Sequence, residues 1–267
     1  MAQRPIIELY AIGTELVLGR IQDTNSFWIA QQVAQIGGHL RRVTMLMDDM
    51  DDIVRGIDDG IQRGAEILIT TGGLGPTPDD MTVEAMARLT GTQLILHEPT
   101  LEIFMARRGI TDRSQVTQNM LKMATVPEGA EIHWNPVGWA PCLHLQEDGA
   151  SIFVLPGPPR EMEALFTPFV APYILSACQT KTATIRVMVN MYESEVSPLM
   201  QMVMERFPAV YMKAYVALRQ SADQDLPVDI VATGEDTNSA QGLLQEAVDY
   251  FVHLVQGQGK AMELYPG

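Results

Sequence analysis

Positive charge is scarce in this chain: 18 lysines and arginines stand against 33 aspartates and glutamates, a formal charge of −15 over 267 residues. A surface that acidic repels a phosphodiester backbone, which argues against nucleic acid as a partner. Cysteine is scarcer still. Cys142 and Cys178 are too few for a disulfide framework or a four-cysteine metal site, and they suit a reducing cytoplasm. No apolar run approaches a membrane span, and Met1-Ala2-Gln3-Arg4-Pro5 opens no secretory signal. A cytoplasmic protein without membrane partners is expected. His39, His97, His133, His144 and His253 stand apart, with no zinc-ligand spacing, and read as surface or structural residues. The 17 methionines read as core packing. Ser and Cys offer neither a G-x-S-x-G elbow nor a Cys/His arrangement.

What is present is a folded composition, 46% hydrophobic and 19% charged, in a chain long enough for one large domain or two ordinary ones. Ile6-Ile7-Glu8-Leu9-Tyr10-Ala11-Ile12 reads as a first strand, followed by a loop over residues 13–20. Asp23-Thr24-Asn25-Ser26 supplies capping residues for a helix carrying Ile29, Val33 and Ile36, which Gly37-Gly38 stops. Then come a strand over His39–Leu46, a helix with Ile53, Ile57 and Ile61 on one face, and a short apolar strand, Glu66-Ile67-Leu68-Ile69. Strand alternating with helix predicts right-handed βαβ units and a parallel sheet. Residues 91–130 read as mainly helical, Glu131–Trp134 and Leu143–Gln146 as short strands, and Ser151–Leu155 as a clear strand. A helix after Pro159 is broken by Pro168 and Pro172. Beyond a boundary near residues 171–181 the order becomes βαββαβ, with a helix opening at Ser197-Pro198 and a polar loop over residues 220–225. The expected architecture is an α/β domain over residues 1–175 and a small α+β, ferredoxin-like domain over residues 182–265.

The chemistry centres on Thr70-Thr71-Gly72-Gly73-Leu74-Gly75-Pro76-Thr77-Pro78-Asp79-Asp80-Met81-Thr82, a strand end, a glycine turn and a helix start. Thr77 reads as the N-cap, Pro78 as the first helical residue and Asp80 as the capping partner. Unobstructed backbone N–H groups at a helix N-terminus make an anion site. No Gly-Lys-Ser/Thr follows, and the turn is not a dinucleotide G-x-G-x-x-G. Ligands of parallel sheets bind beyond the carboxyl ends of the strands, which brings Glu15, Asp48, the glycine turn and Pro156–Glu161 to one edge. Carboxylates close to a phosphate repel it by about 4 kcal/mol at ~4 Å and an effective dielectric of about 20. A helix N-terminus returns only about 0.3–1 kcal/mol, up to about 2 in favourable geometry. A divalent cation held by oxygen ligands resolves that conflict, with Lys122 and Arg160 to neutralise the remainder. Taken singly, Asp80 is equally a capping residue, Asp79 a solvated first-turn acid, and Asp48 and Glu15 ordinary loop acids; their coincidence at one edge points to function.

These motifs are similar to those of the N-terminal portion of the CinA (competence/damage-inducible) family, built on the molybdopterin-binding fold of MogA and MoaB. The resemblance rests on Gly13-Thr14-Glu15-Leu16, Asp23-Thr24-Asn25-Ser26, Asp48, Thr70 through Thr82, Pro127-Glu128-Gly129-Ala130, Asn135-Pro136-Val137-Gly138 and Leu155 through Met162, across residues 6–170. It implies a three-layer, mostly parallel sheet, a homo-oligomer (dimer or trimer) and a pterin-phosphate or nucleotide ligand. The implied activity is metal-dependent ADP-ribose pyrophosphatase, giving AMP and ribose 5-phosphate with Mg²⁺, Mn²⁺ or Co²⁺. FAD is a related substrate. The alternatives are a molybdopterin- or nucleotide-binding protein without turnover and a molybdopterin adenylyltransferase. Carried onto this chain, Asp48 and Asp80 are the catalytic acids and metal ligands, with Glu15 a further metal candidate. Gly72, Gly73, Leu74, Gly75 and Thr77 form the phosphate cradle, and Asn25, Ser26, Lys122, Asn135, Gly138, Pro156, Gly157 and Arg160 complete the substrate site. The chain departs from the family pattern at Trp139-Ala140-Pro141-Cys142, where Thr-Ala-Pro-Gly is usual, and at Lys122-Met123-Ala124, where Lys-Gln-Ala is usual. CinA proteins often carry a C-terminal nicotinamide-nucleotide deamidase domain that has no counterpart in these residues.

Overall fold

The computed structural model describes residues 4–219 and 225–265. Met1-Ala2-Gln3 and residues 220–224 of the expected polar loop lie outside the described residues. The chain divides into two compact units, Arg4–Ala177 and the residues from Cys178 onward.

The first unit runs β1 (Ile6–Ile12), α1 (Thr14–Val17), α2 (Thr24–Gln35), β2 (His39–Leu46), α3 (Met50–Gln62), β3 (Ile67–Thr71), α4 (Thr82–Leu89), β4 (Leu94–Leu96), α5 (Glu98–Arg108), α6 (Gln118–Met123), β5 (Thr125–Pro127), β6 (Glu131–His133), β7 (Cys142–Glu147), β8 (Ala150–Leu155), α7 (Pro159–Leu165) and α8 (Ala171–Ala177). Six strands form a mixed sheet in the order β2-β1-β3-β8-β7-β6. The first four are parallel, and β7 and β6 join antiparallel. The near-continuous apolar runs of β1, β3 and β8 follow from burial on both faces. On one face Tyr10, Ile12, Leu68 and Ile152 pack with Ile53 and Ile57 of α3 and Ala85 and Met86 of α4. On the other, a Cβ on Gly38 would stand 2.7 Å from Val33, 3.0 Å from Ile7 and 3.2 Å from Ile174, so α2, β1 and α8 meet there. Helices on both faces make the three-layer α/β architecture.

One residue interrupts the apolar run of β1. Glu8 is fully buried, and its carboxylate accepts from Arg41 and Arg63 at 2.7 Å each and from the Tyr10 hydroxyl at 2.7 Å. Burial by itself raises the pKa of Glu8, but hydrogen bonds from Arg63, Tyr10 and Arg41 outweigh it and hold the group at about 2.

Four local expectations are corrected. Helix α4 begins at Thr82, not Pro78, because Thr77–Asp80 closes on itself: the Thr77 N–H donates to Asp80 Oδ2 at 2.9 Å and the Thr77 hydroxyl donates to the same oxygen. The stretch 91–130 is not simply helical; β4 and β5 pair antiparallel across it, Leu94 opposite Pro127 and Leu96 opposite Thr125. The expected loop after β1 contains the one-turn helix α1. Pro168 does not end the helix after Pro159; a π-helical turn over Phe166–Val170 absorbs it and the chain continues into α8.

The second unit runs β9 (Lys181–Val189), α9 (Glu193–Arg206), β10 (Val210–Ala214), β11 (Leu226–Gly234), α10 (Thr237–Gly257) and β12 (Met262–Leu264). Its four strands lie in the order β10-β11-β9-β12, all antiparallel, which is the ferredoxin-like arrangement expected. Helix α9 starts at Glu193 rather than at Ser197, since Glu195 Oε2 accepts from the Tyr192 N–H at 2.8 Å and closes the earlier turn; Pro198 lies inside the helix. Val228, Ile230, Val203 and Phe251 share this unit's own core.

Candidate functional site

The loops that leave the carboxyl ends of β1, β2, β3 and β8 open onto one cavity of about 860 Å³, which Glu15, Asp48, the Gly72–Pro76 turn and Pro156–Pro159 line. That volume suits a nucleotide-sized ligand. The glycine turn is tightly built. Gly72 and Gly73 have φ of 101° and 67°. A Cβ on Gly72 would stand 2.1 Å from the Ile12 carbonyl oxygen, and one on Gly73 would stand 2.1 Å from Thr82 Oγ1. Neither position has room for a side chain, so a ligand meets bare backbone. The Thr82 hydroxyl donates to the Gly72 carbonyl at 3.0 Å and ties the turn to the start of α4.

Two carboxylates on the cavity wall are each oriented by a threonine. Asp48 Oδ2 accepts from the Thr14 N–H at 2.7 Å and from its hydroxyl at 3.0 Å, which links the end of β2 to the end of β1. Asp80 Oδ2 accepts from Thr77, and its carboxylate lies over Gly75, where a Cβ would stand 2.5 Å from it. Neighbouring Asp79 is exposed, and the polar Thr77 side chain beside it, its own backbone N–H and the nearby Lys122 charge hold it below the usual carboxylate range. The donor set of Glu15, Asp48 and Asp80 is all hard oxygen, the kind that suits Mg²⁺ or Mn²⁺. Among the described residues, these three do not form a group whose ligand atoms all lie within 4.8 Å of one another.

The remaining expected residues divide. Leu74 and Gly157 line the cavity, as does Asn25, whose Nδ2 donates to the Gly157 carbonyl at 2.7 Å while its Oδ1 is buried without a partner. Ser26 is not on the cavity wall; it is buried in the first turn of α2, where its N–H donates to Asp23 Oδ1 at 3.0 Å. Lys122 is committed to backbone, donating to the carbonyls of Thr77 at 2.5 Å and Asp80 at 2.6 Å, and so braces the turn from behind. Arg160 lies outside the cavity, in a surface depression with Val137 and Glu163. Asn135 is fully buried and shapes its loop: Oδ1 accepts from the N–H groups of Val137 at 3.0 Å and Gly138 at 2.8 Å, and Nδ2 donates to Glu161 Oε2 at 2.8 Å. Gly138 leaves space for that carboxylate, since a Cβ there would stand 1.9 Å from Glu161.

The sequence reading missed part of the cavity wall, formed by Phe104 and Arg108 of α5 and Met120 of α6, which Trp139 joins. Trp139 meets Phe104 edge-on with ring centroids 5.4 Å apart, and the Arg108 guanidinium lies 5.1 Å from the centre of the Trp139 ring. Arg107 forks onto the same loop, its Nη2 donating to the Asn135 carbonyl at 3.2 Å and its Nη1 to that of Gly138. Both arginines sit in the last turn of α5, where basic residues are ordinary on dipole grounds, so the sequence gives no sign of their use.

The description "Probable molybdopterin binding domain" fits residues 8–176 of this chain. A protein of Pyrobaculum calidifontis is 32% identical over 267 residues, covering 98% of this chain and 100% of its own. A CinA-like protein of Kosmotoga olearia is 41% identical over 172 residues, 63% of this chain; the chain spans 40% of that relative's length. The crystal structure of the protein CinA, of unknown function, from Thermoplasma acidophilum superposes with a TM-score of 0.59 at 34% identity, covering 64% of this chain and 98% of that one.

Proposed function

Because the chain belongs to the molybdopterin-binding-domain family, with CinA-like relatives, we propose that it is a metal-dependent pyrophosphatase that splits ADP-ribose, or a related dinucleotide such as FAD, into AMP and a phosphate ester. The observation that carries the proposal is the mixed lining of the cavity. Bare glycine backbone with Asp48 and Asp80 lines the same cavity as the aromatic rings of Phe104 and Trp139 and the guanidinium of Arg108. A nucleoside diphosphate ester has the same mixed character, a pyrophosphate joined to a planar base.

Asp48 and Asp80 would hold a divalent cation (Mg²⁺, Mn²⁺ or Co²⁺), which would supply Lewis-acid polarisation and a nucleophilic water; Glu15 stands on the same cavity wall without closing a three-carboxylate cluster with them. The chain's own groups do the rest. Thr14 and Thr77 keep the two carboxylates oriented toward their loops, so little reorganisation is needed when phosphate arrives. The Gly72–Gly75 turn admits a phosphate with no side chain in the way. Arg108 offers the guanidinium that offsets charge on the leaving phosphate, the role the sequence had given to Arg160 and Lys122.

The direct test is incubation of the purified chain with ADP-ribose and each of the three metals, with AMP measured by chromatography. Metal-dependent AMP release is expected; folded protein that releases none with any metal overturns the proposal. A second measurement addresses the aromatic part of the wall. Base–aromatic stacking is worth about 1–3 kcal/mol, so Trp139→Ala is expected to raise KM roughly 5- to 150-fold with kcat little changed. An unchanged KM would remove Trp139 from base recognition.

A further inference from the structure

The histidines that stand apart in the sequence do not stand apart in the fold. β6 and β7 pair antiparallel with Glu131 opposite His144 and His133 opposite Cys142. Residues Glu131 and His133 alternate onto the same face of β6, and their cross-strand partners share that face. The result is a cluster: His133 Nε2 lies 3.6 Å from Glu131 Oε1, and His144 Nδ1 lies 3.3 Å from Glu131 Oε2. One ligand atom from each of the three residues lies within 4.8 Å of the other two.

The two histidine–carboxylate distances fall in the range of a tetrahedral metal's ligands, and the remaining separation is within 4.8 Å. Ligand atoms about 2.0–2.2 Å from a Zn²⁺ ion lie about 3.3–3.6 Å from one another. The imidazoles are also held in place. His144 stacks on Phe153 with centroids 4.3 Å apart and ring planes at 3°, with Tyr173 edge-on at 5.2 Å. His133 stacks on Phe169 at 4.2 Å and 13°. Both histidine side chains are mostly buried, 17% and 11% exposed, whereas Glu131 is 65% exposed, so the carboxylate side faces water.

We propose that Glu131, His133 and His144 bind a divalent transition metal of the Zn²⁺ class, with water in the remaining position, and that the ion ties together the two feet of the β6–β7 loop. The proposal is separate from the pyrophosphatase reading and does not rest on it. Two imidazoles and a carboxylate favour Zn²⁺, Co²⁺ or Ni²⁺ over Mg²⁺, so excess Mg²⁺ occupies the oxygen-only cavity without competing for this site. The placement gives it a consequence. His133 ends β6 and Cys142 begins β7, so an ion beside both strands fixes the base of the loop that carries Asn135, Gly138 and Trp139. The site lacks one support. His144 Nε2 is buried with no hydrogen-bond partner, whereas metal-bound imidazoles ordinarily donate their second N–H. Loss of such a contact lowers affinity about 10- to 100-fold, so the expected binding is weaker than that of a fully supported zinc centre.

The experiment uses the full chain without a histidine tag, freed of metal by chelator and kept in excess Mg²⁺ so that hard-oxygen sites are filled. Titrating Co²⁺ is expected to give visible ligand-field bands of four-coordinate cobalt that saturate at one equivalent, and Zn²⁺ is expected to remove them. Glu131→Gln should weaken binding about tenfold or more. His144→Phe keeps a ring on Phe153, so it should unfold thermally like the parent without metal, yet show no bands and no Zn²⁺-dependent rise in melting temperature. Should His144→Phe fail to fold, His133→Gln takes its place with the same expectation. Asp48→Asn should leave the bands unchanged. Absence of saturable bands, bands that survive His144→Phe or His133→Gln, or bands lost in Asp48→Asn would each overturn the proposal, the last by moving the metal to the cavity.

Discussion

Glu8→Ala is expected to destabilise the Arg4–Ala177 unit by about 3–5 kcal/mol, the range for removing one partner of a buried ion pair. The reason lies in what the deletion leaves behind. Arg41 and Arg63 converge on the Glu8 carboxylate at 2.7 Å, and Arg42 Nε comes to 3.9 Å. Without the acid, arginine side chains that are only about a third exposed, 30% for Arg41 and 33% for Arg63, face one another and the Tyr10 hydroxyl beside β1. Tyr10→Phe removes one neutral donor and should cost only about 1 kcal/mol. The same carboxylate sets an acid limit on stability. Its pKa falls from an ordinary 4.5 to about 2 on folding, so the unfolded chain binds the proton more readily. The stabilisation is complete above about pH 4.5 and is lost as pH falls through about 2. Urea unfolding of parent and Glu8→Ala at pH 7 and at pH 3 checks both claims: the difference between them should shrink at the lower pH. A difference of under 1 kcal/mol at pH 7, or one that grows on acidification, would show that Glu8 is not what holds these arginines.

Glu8 also shows which features could be read from the chain in order. Buried parallel strands announce themselves in Ile6–Ile12 and Ile67–Thr71, because burial on both faces leaves only apolar runs. The cavity edge follows from them, since loops at the carboxyl ends of parallel strands must meet. What escaped the reading is contact between positions distant in sequence or turned by local bonds. The partners of Glu8 come from Arg41 and Arg63, on other elements. His133 and His144 meet across a hairpin whose long loop hides their pairing, so their linear spacing carries no zinc signature. The Thr77 signal was real as chemistry but wrong as position. Asp80 does reach back to Thr77, yet the pair closes a turn of its own ahead of α4. Lys122 and Arg160 are basic residues near the motif in the chain; in space one braces backbone carbonyls and the other lies on a different surface.

Asp80→Asn and Asp48→Asn are expected to lower kcat for ADP-ribose hydrolysis by about 10²-fold or more, the scale for removing a group that stabilises developing charge, while leaving the fold intact. The amide oxygen introduced by Asp80→Asn can still accept from the Thr77 N–H, and that introduced by Asp48→Asn from the Thr14 N–H, so neither loop loses its brace. What disappears is one negative charge. Opposite effects on binding and turnover then follow from electrostatics alone. In the absence of metal, each carboxylate repels a bound phosphate, so Asp80→Asn should bind ADP-ribose more tightly than the parent. With Mg²⁺ or Mn²⁺ present the order should reverse, because the variant has lost an oxygen ligand that the cation needs alongside the substrate phosphate. Calorimetric titration with and without metal, set beside AMP release, separates the alternatives. Loss of turnover with this crossover in affinity supports a metal-bridged pyrophosphatase. Affinity that is equal in parent and variant, and indifferent to metal, would support a nucleotide- or molybdopterin-binding protein whose acids merely shape the turn.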